Sequence, residues 1–202
     1  MRSDYVTAAI VIIALLATFI YVFGFSRPSS EAERAVIGEN IGENVIAAEN
    51  QDLLVNELAP IDIAKSTFEF EGFGPGKSHL GKFDKWEGNI LLKDGKIEGI
   101  EGIIQADSVN TGIQKLDNDL KKENFLNTEK YPEISFNSDI INNGEMSGSL
   151  TFLGVTKTIS FPVVITDDSI STDFIFDSSQ FGEMSDLAND EVRIAFKLFA
   201  EQ

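Results

Sequence analysis

Cysteine is absent from the 202 residues, which excludes disulfides, thiolate metal sites, cysteine nucleophiles and the thioether anchor of a bacterial lipoprotein. Histidine occurs once, at His79. A single histidine supplies neither a Ser-His-Asp triad nor an ordinary zinc site, so no catalytic residue, metal ligand or cofactor is assigned, and the chain is expected not to be an enzyme. Basic residues are scarce: 16 Lys and Arg stand against 33 Asp and Glu, a net charge of -17. Nucleic acid is excluded as a partner, because phosphate backbones are bound by clustered Lys and Arg. One tryptophan and three tyrosines contrast with sixteen phenylalanines. Phenylalanine brings apolar area without a polar tip to satisfy, so it suits a dry core or a cavity for hydrocarbon equally well.

After a flank of residues 1–4, residues 5–25 carry no charge. At 1.5 Å rise per residue such a run spans the roughly 30 Å hydrocarbon layer, and it reads as a single-pass transmembrane anchor. A cleaved signal peptide would carry a shorter apolar stretch and a better cleavage site than Gly24-Phe25-Ser26. Arg2 on one side and Arg27 with Arg34 on the other leave orientation undecided by charge. Residues 26–58 form an acidic linker that includes the repeat Ile37-Gly38-Glu39-Asn40 and Ile41-Gly42-Glu43-Asn44. A short amphipathic helix within residues 45–58 is compatible with its pattern.

From residue 59 to 202 the pattern turns to period two, which marks strands with one apolar face. Phe68 and Phe70 alternate with Glu69 and Glu71, and Met146, Leu150 and Phe152 alternate with Ser147, Ser149 and Thr151. The same holds for Ile159, Phe161, Val163 and Ile165, and for Val192, Ile194, Phe196 and Leu198. Lys93-Asp94-Gly95-Lys96 and Asn142-Asn143-Gly144 read as hairpin turns. Residues 112–126 break the rule, with Ile113, Leu116 and Leu120 at helical spacing, so one short helix interrupts the strands. An all-β domain of this kind closes as a barrel or splits into a sandwich, and periodicity does not choose. His79 falls in the glycine-rich stretch Gly74-Pro75-Gly76-Lys77-Ser78-His79 and reads as a turn or rim residue.

Four stretches resemble the YceI-like family of lipid-binding proteins. Ile61-Asp62 with Ser66-Thr67-Phe68 resembles its first strand, and the run from Gly76 to Phe83 resembles the start of its second. The most specific stretch runs from Leu116 to Asn127 and on to Tyr131-Pro132-Glu133-Ile134-Ser135-Phe136. Gly148 to Lys157 is similar to a family turn, and Phe176-Asp177 with Phe181-Gly182 to a late motif. Two positions depart from the pattern: Asp119 stands where the family often has histidine, and Ser178 or Ser179 where it often has arginine. The resemblance implies a lipocalin-like extended antiparallel β-barrel of about eight strands. It also implies an isoprenoid or other lipid in the lumen, and a place on the periplasmic or extracellular side of a cytoplasmic membrane. A homodimer is a further expectation, for which no interface is legible in the chain.

On that reading the alternating Phe68, Phe70, Trp86, Phe136, Phe152, Phe161, Phe174, Phe176 and Phe196 are the candidate cavity walls. Leu116 and Leu120 are expected to close one end, and His79 is the rim candidate. The expected function is a membrane-anchored binder or carrier of a long apolar ligand, such as a polyisoprenoid, an isoprenoid quinone or a fatty-acyl amphiphile. The alternatives are a dry-cored protein-interaction module on the outer membrane surface and, third, an enzyme acting on a barrel-bound lipid.

Overall fold

A computed structural model describes residues 32–38, 57–182 and 188–201. The chain divides into a unit over Met1–Ala32 and one over Glu33–Gln202, and the described residues other than Ala32 belong to the second. The expected anchor at residues 5–25 lies outside the described residues, as does residue range 45–56 of the expected amphipathic helix. Among the described residues no helix is long and apolar enough to cross a membrane.

The strands are β1 (Glu33–Arg34), β2 (Val36–Ile37), β3 (Glu57–Pro60), β4 (Thr67–Gly74), β5 (Lys77–Phe83), β6 (Trp86–Lys93) and β7 (Lys96–Gln105). A short β8 (Val109–Asn110) leads into the helix α1 (Gln114–Leu120), and β9 (Glu133–Asn142), β10 (Glu145–Phe152) and β11 (Val155–Pro162) follow. β12 (Val164–Ile165), β13 (Ser169–Asp177) and β14 (Glu191–Phe199) complete the domain. The two expected hairpin turns are present. Asp94 and Gly95 have φ of 53° and 73°, and Asn143 and Gly144 have 52° and 79°, the paired left-handed residues of a tight turn that follows strand twist.

These strands make two seven-stranded sheets. One runs β1-β13-β14-β4-β5-β8 with β12 also on β13, and the other runs β2-β11-β10-β9-β7-β6-β3. The sheets face each other across rings: Phe161 stacks on Phe174 with centroids 4.4 Å apart, and Phe68 meets Trp86 at 6.2 Å. The expected continuous barrel of about eight strands is therefore corrected to two facing sheets. The ladders lapse at corners where the chain passes from one sheet to the other. One corner is tied by Asp84 N and Gln105 N, which donate to the carbonyls of Ser108 and Lys85. At another, Ile61 makes a lone bridge to Ala200. The pairing is antiparallel throughout the described sheets except where β1 runs parallel to β13.

Part of the expected linker is domain. β1 lies on β13 and β2 on β11, so residues 33–37 occupy the free edges of both sheets. Ala35 N donates to the Ile175 carbonyl and Gly38 N to the Thr158 carbonyl, each at 2.8 Å. Ala35 and Ile37 pack on the core, and Arg34 pairs with Glu191 at 2.5 Å. Glu57 and Leu58, also read as linker, form the start of β3 on β6.

The core is packed at one end and hollow at the other. Ile90, Met146 and Ile170 have no solvent exposure and fill the end toward the Asp94–Gly95 and Asn143–Gly144 turns. The face of β4 expected to be wet is also not uniformly so. Glu71 and Arg193 are buried cross-strand neighbours, with Arg193 Nη1 3.6 Å from Glu71 and Arg193 Nε donating to Asp173 Oδ1 at 2.6 Å. Charges taken from water in this way require partners, which Asp173 supplies.

Candidate functional site

The hollow end is a cavity of about 780 Å³, within the usual size range of small-molecule sites. Its walls are strand faces. The inward residues of β4 are Phe68, Phe70 and Gly72. β13 contributes Phe174 and Phe176, β14 Val192, Ile194 and Phe196, and the facing sheet Trp86, Ile104, Ile134, Phe136, Leu150, Phe152, Ile159 and Phe161. Period-two alternation puts these on one side because successive side chains of a strand point to opposite faces. Ile61, Ile100 and Leu198 border the lumen toward the packed end.

The mouth is framed by the β4–β5 turn at Gly74, Pro75 and Lys77, by Lys122, Asn124 and Phe125 after α1, and by Ala188 and Asn189 before β14. Leu116 and Leu120, one helical turn apart, both present to the lumen from α1. The helix is placed by its ends. Asp117 Oδ1 accepts from Thr111 N at 2.7 Å and from Thr111 Oγ1 at 2.6 Å. At the far side of the segment the Tyr131 ring lies on Gly154, where a Cβ would stand 2.5 Å from the ring.

The structure brings together every candidate wall residue read from the sequence: Phe68, Phe70, Trp86, Leu116, Leu120, Phe136, Phe152, Phe161, Phe174, Phe176 and Phe196 all border this one cavity, with His79 at its mouth. His79 belongs to β5 itself rather than to a turn; it pairs with Gly72 and sits on the same strand face as Gly81 and Phe83. Of the two departures from the family pattern, Asp119 borders the mouth, where its carboxylate accepts from Lys122 Nζ at 2.5 Å. That bond holds Asp119 below the ordinary aspartate range. Ser178 is fully buried and its hydroxyl donates to the Asp190 carbonyl at 2.7 Å, so it serves the loop rather than the lumen.

The candidate walls read from the sequence leave out the aliphatic Ile104, Ile134, Leu150, Ile159, Val192 and Ile194, and glycines as well. Gly72, Gly74 and Gly102 line the lumen, and a Cβ on Gly72 would meet nothing within 4 Å. Gly88 pairs directly with Gly102 across β6 and β7. The signal was available: a glycine inside a strand weakens it and marks a place where space or close approach is needed. Phe83, Phe125 and Leu126 were also passed over, although Phe83 has the same strand parity as His79.

Chemically, the site is a mostly apolar sleeve, with polar groups at the mouth and Glu87, Glu101 and Ser135 bordering it along β6, β7 and β9. Among the described residues no three His, Asp or Glu side chains converge as a metal site. The arrangement has room for a slender apolar chain, with Lys77, His79, Lys122 and Asn124 at its polar end.

Comparison with known proteins gives the same fold. A crystal structure of BcnA from Burkholderia cenocepacia superposes with a TM-score of 0.63 at 20% identity, covering 70% of this chain and 99% of the other. A polyisoprenoid binding domain from Saccharophagus degradans, described as implicated in plant cell wall breakdown, gives 0.57 at 17% identity over 72% and 99%. Among curated sequences, a UPF0312 protein of Yersinia pestis (strain Pestoides F) is 29% identical over 92 residues, 43% of this chain and 48% of that protein. The chain thus spans about half the length of the curated relatives it matches. The YceI-like domain pattern matches residues 60–200, from the end of β3 through the last bridge, and so takes in β4 to β14 and every wall of the lumen. With fold, lumen and sequence pattern agreeing over that span, the chain belongs to the YceI-like family.

Proposed function

We propose that this protein binds and carries a long apolar amphiphile, an isoprenoid or acyl chain, with its tail in the lumen and its polar end at the mouth. The observation that carries the reading is the 780 Å³ hollow walled by phenylalanine where a dry core would otherwise sit. Each methylene buried there contributes about 0.8 kcal/mol. A chain that fills the sleeve therefore gains enough to offset the loss of its own freedom with almost no hydrogen bonds. The polyisoprenoid binding domain of Saccharophagus degradans shares this fold and supports the same ligand class. A module filled by its own phenylalanines, the interaction-protein reading, leaves no such hollow. The proposal is of a binder rather than an enzyme: the chain's one histidine lies at the rim of an apolar wall rather than beside a partner base. It also places the domain on the outer side of a cytoplasmic membrane, held there by residues 5–25, so that tethering raises its local concentration beside lipid.

Trp86, the only tryptophan, borders the lumen and reports directly on its filling. Titration of the full chain with all-trans-geranylgeraniol is expected to give a saturable change in Trp86 emission. Gly72→Leu places a side chain in open lumen without a backbone clash. This variant is expected to melt as the wild type does and to bind about tenfold or more weaker, as filling a site displaces ligand contacts. An unresponsive wild type, titrated with geranylgeraniol and with palmitate, contradicts the proposal.

A further inference from the structure

We propose that Gly81 is a specificity-determining residue, because it gives the Phe70 ring a seat against the wall and so sets the width of the lumen next to the mouth. This rests on the carrier reading above. Gly81 and Phe70 are direct cross-strand partners in β5 and β4. An ideal Cβ on Gly81 would lie 2.3 Å from Phe70 Cζ, 2.7 Å from Cε1 and 3.0 Å from Cε2. The three nearest atoms all belong to the ring's far edge, and none to backbone. The ring therefore reaches over β5 into the space that any other residue would occupy, and it packs on Phe83 of the same strand at a centroid distance of 5.3 Å.

Seated there, the ring occupies space over β5 that a side chain at 81 would take, and Phe70 borders the lumen from that position. If position 81 carries even a methyl group, the ring must lift, and the directions away from the strand lead into the lumen that Phe70 borders. Gly81 is not needed for a backbone conformation that only glycine adopts, since its φ is not positive. It is not needed for close backbone contact either, unlike Gly148, whose Cβ would meet the Asn137 carbonyl at 2.5 Å. What glycine supplies at 81 is room for one ring. Narrowing at this point penalises a methyl-branched isoprenoid chain more than a straight acyl chain, because the branched chain is thicker along its length.

The test titrates wild type, Gly81→Ala, Phe70→Leu and the double variant with all-trans-geranylgeraniol and with palmitate, following Trp86 emission, with a thermal melt on each protein. In Gly81→Ala the branched probe is expected to bind about tenfold weaker, the scale of an overpacking penalty converted to affinity, and palmitate to lose less. With Phe70→Leu in the same chain, the branched probe should bind within about threefold of Phe70→Leu alone, as the clash has lost its partner. Equal binding of both probes by Gly81→Ala, or a loss that Phe70→Leu does not restore, overturns the inference while leaving the carrier reading intact. If Gly81→Ala does not fold, the double variant decides: with the ring gone the inference requires it to fold and to bind the branched probe within about threefold of Phe70→Leu alone, and a double variant that does not fold, or that binds it weaker than that, overturns it. A wild type that binds neither probe fails the carrier reading, and this inference with it.

Discussion

Met146 and Phe68 show how the same type of change has different consequences at the two ends of the core. Met146 has no exposure and lies among other filled positions, whereas Phe68 borders the lumen with Trp86 and Phe196. Met146→Ala opens a new void and is expected to cost about 2–5 kcal/mol in urea unfolding. Phe68→Leu enlarges a hollow that already exists, and about half that cost or less is expected. Equal losses at the two sites would mean that the hollow end is packed in solution. At this scale the sequence was informative about direction but not posture. Alternation put Phe68, Phe70, Phe174, Phe176 and Phe196 on the inner face, because period two follows from strand geometry. It says nothing of a ring seated over Gly81, which depends on what stands opposite in the neighbouring strand. The burial of Glu71 and Arg193 escaped notice for the same reason, since their pairing across β4 and β14 is a fact of register.

Among the elements, α1 and the edge segment β1–β2 carry the clearest expectations. Asp117 fixes the start of α1 through Thr111. Asp117→Ala leaves the Thr111 amide without its charged acceptor, a loss of about 1–3 kcal/mol. Faster hydrogen exchange over Gln114–Leu120 and faster release of bound geranylgeraniol are expected, and exchange unchanged at both would show that α1 is placed by packing alone. On the edge segment, Arg34 and Glu191 are both substantially exposed, so Arg34→Ala should shift stability by less than about 1 kcal/mol. Ile37→Asp puts a charge against the core and should cost about 1–3 kcal/mol or more. The long strands, both tight turns and the helix were legible because each offers several residues of pattern or a turn-specific glycine. β1 and β2 were not, since two-residue strands have no period, and Ile37 also begins a repeat that reads as spacer. The corners were invisible too, for the two residues between Phe83 and Trp86, or the single turn Ala106–Ser108 between β7 and β8, are too short to show in a periodic pattern.

For the whole molecule, charge sets the response to pH. Asp62, Asp84, Asp119 and Asp177 are held below the ordinary aspartate range by hydrogen bonds, chiefly from Lys65, Asn110, Lys122 and Ser179 respectively. A carboxylate depressed in the folded state contributes stability above its unfolded value and loses it as pH falls through its folded value. Above that window, protonating ordinary carboxylates relieves the self-repulsion of a chain with net charge -17. Thermal midpoints are therefore expected to hold or rise from neutral pH down to the ordinary carboxylate range and to fall below it. Midpoints that keep rising into strong acid would show that the four hydrogen-bonded aspartates contribute nothing. The fold class was legible from the motifs around Leu116 to Phe136, but the division into two sheets and the existence of a hollow were not. Sixteen phenylalanines fill a core or wall a cavity with the same pattern, and the difference lies in summed volumes and in glycines such as Gly72, Gly88 and Gly102.

The hollow is the point on which the account stands, and native mass spectrometry of the full chain, purified from its source membranes without detergent exchange and then extracted with organic solvent, tests it most directly. The account predicts a stoichiometric adduct whose extract contains an isoprenoid or acyl chain. A clean unliganded mass that persists after incubation with geranylgeraniol and palmitate would contradict it.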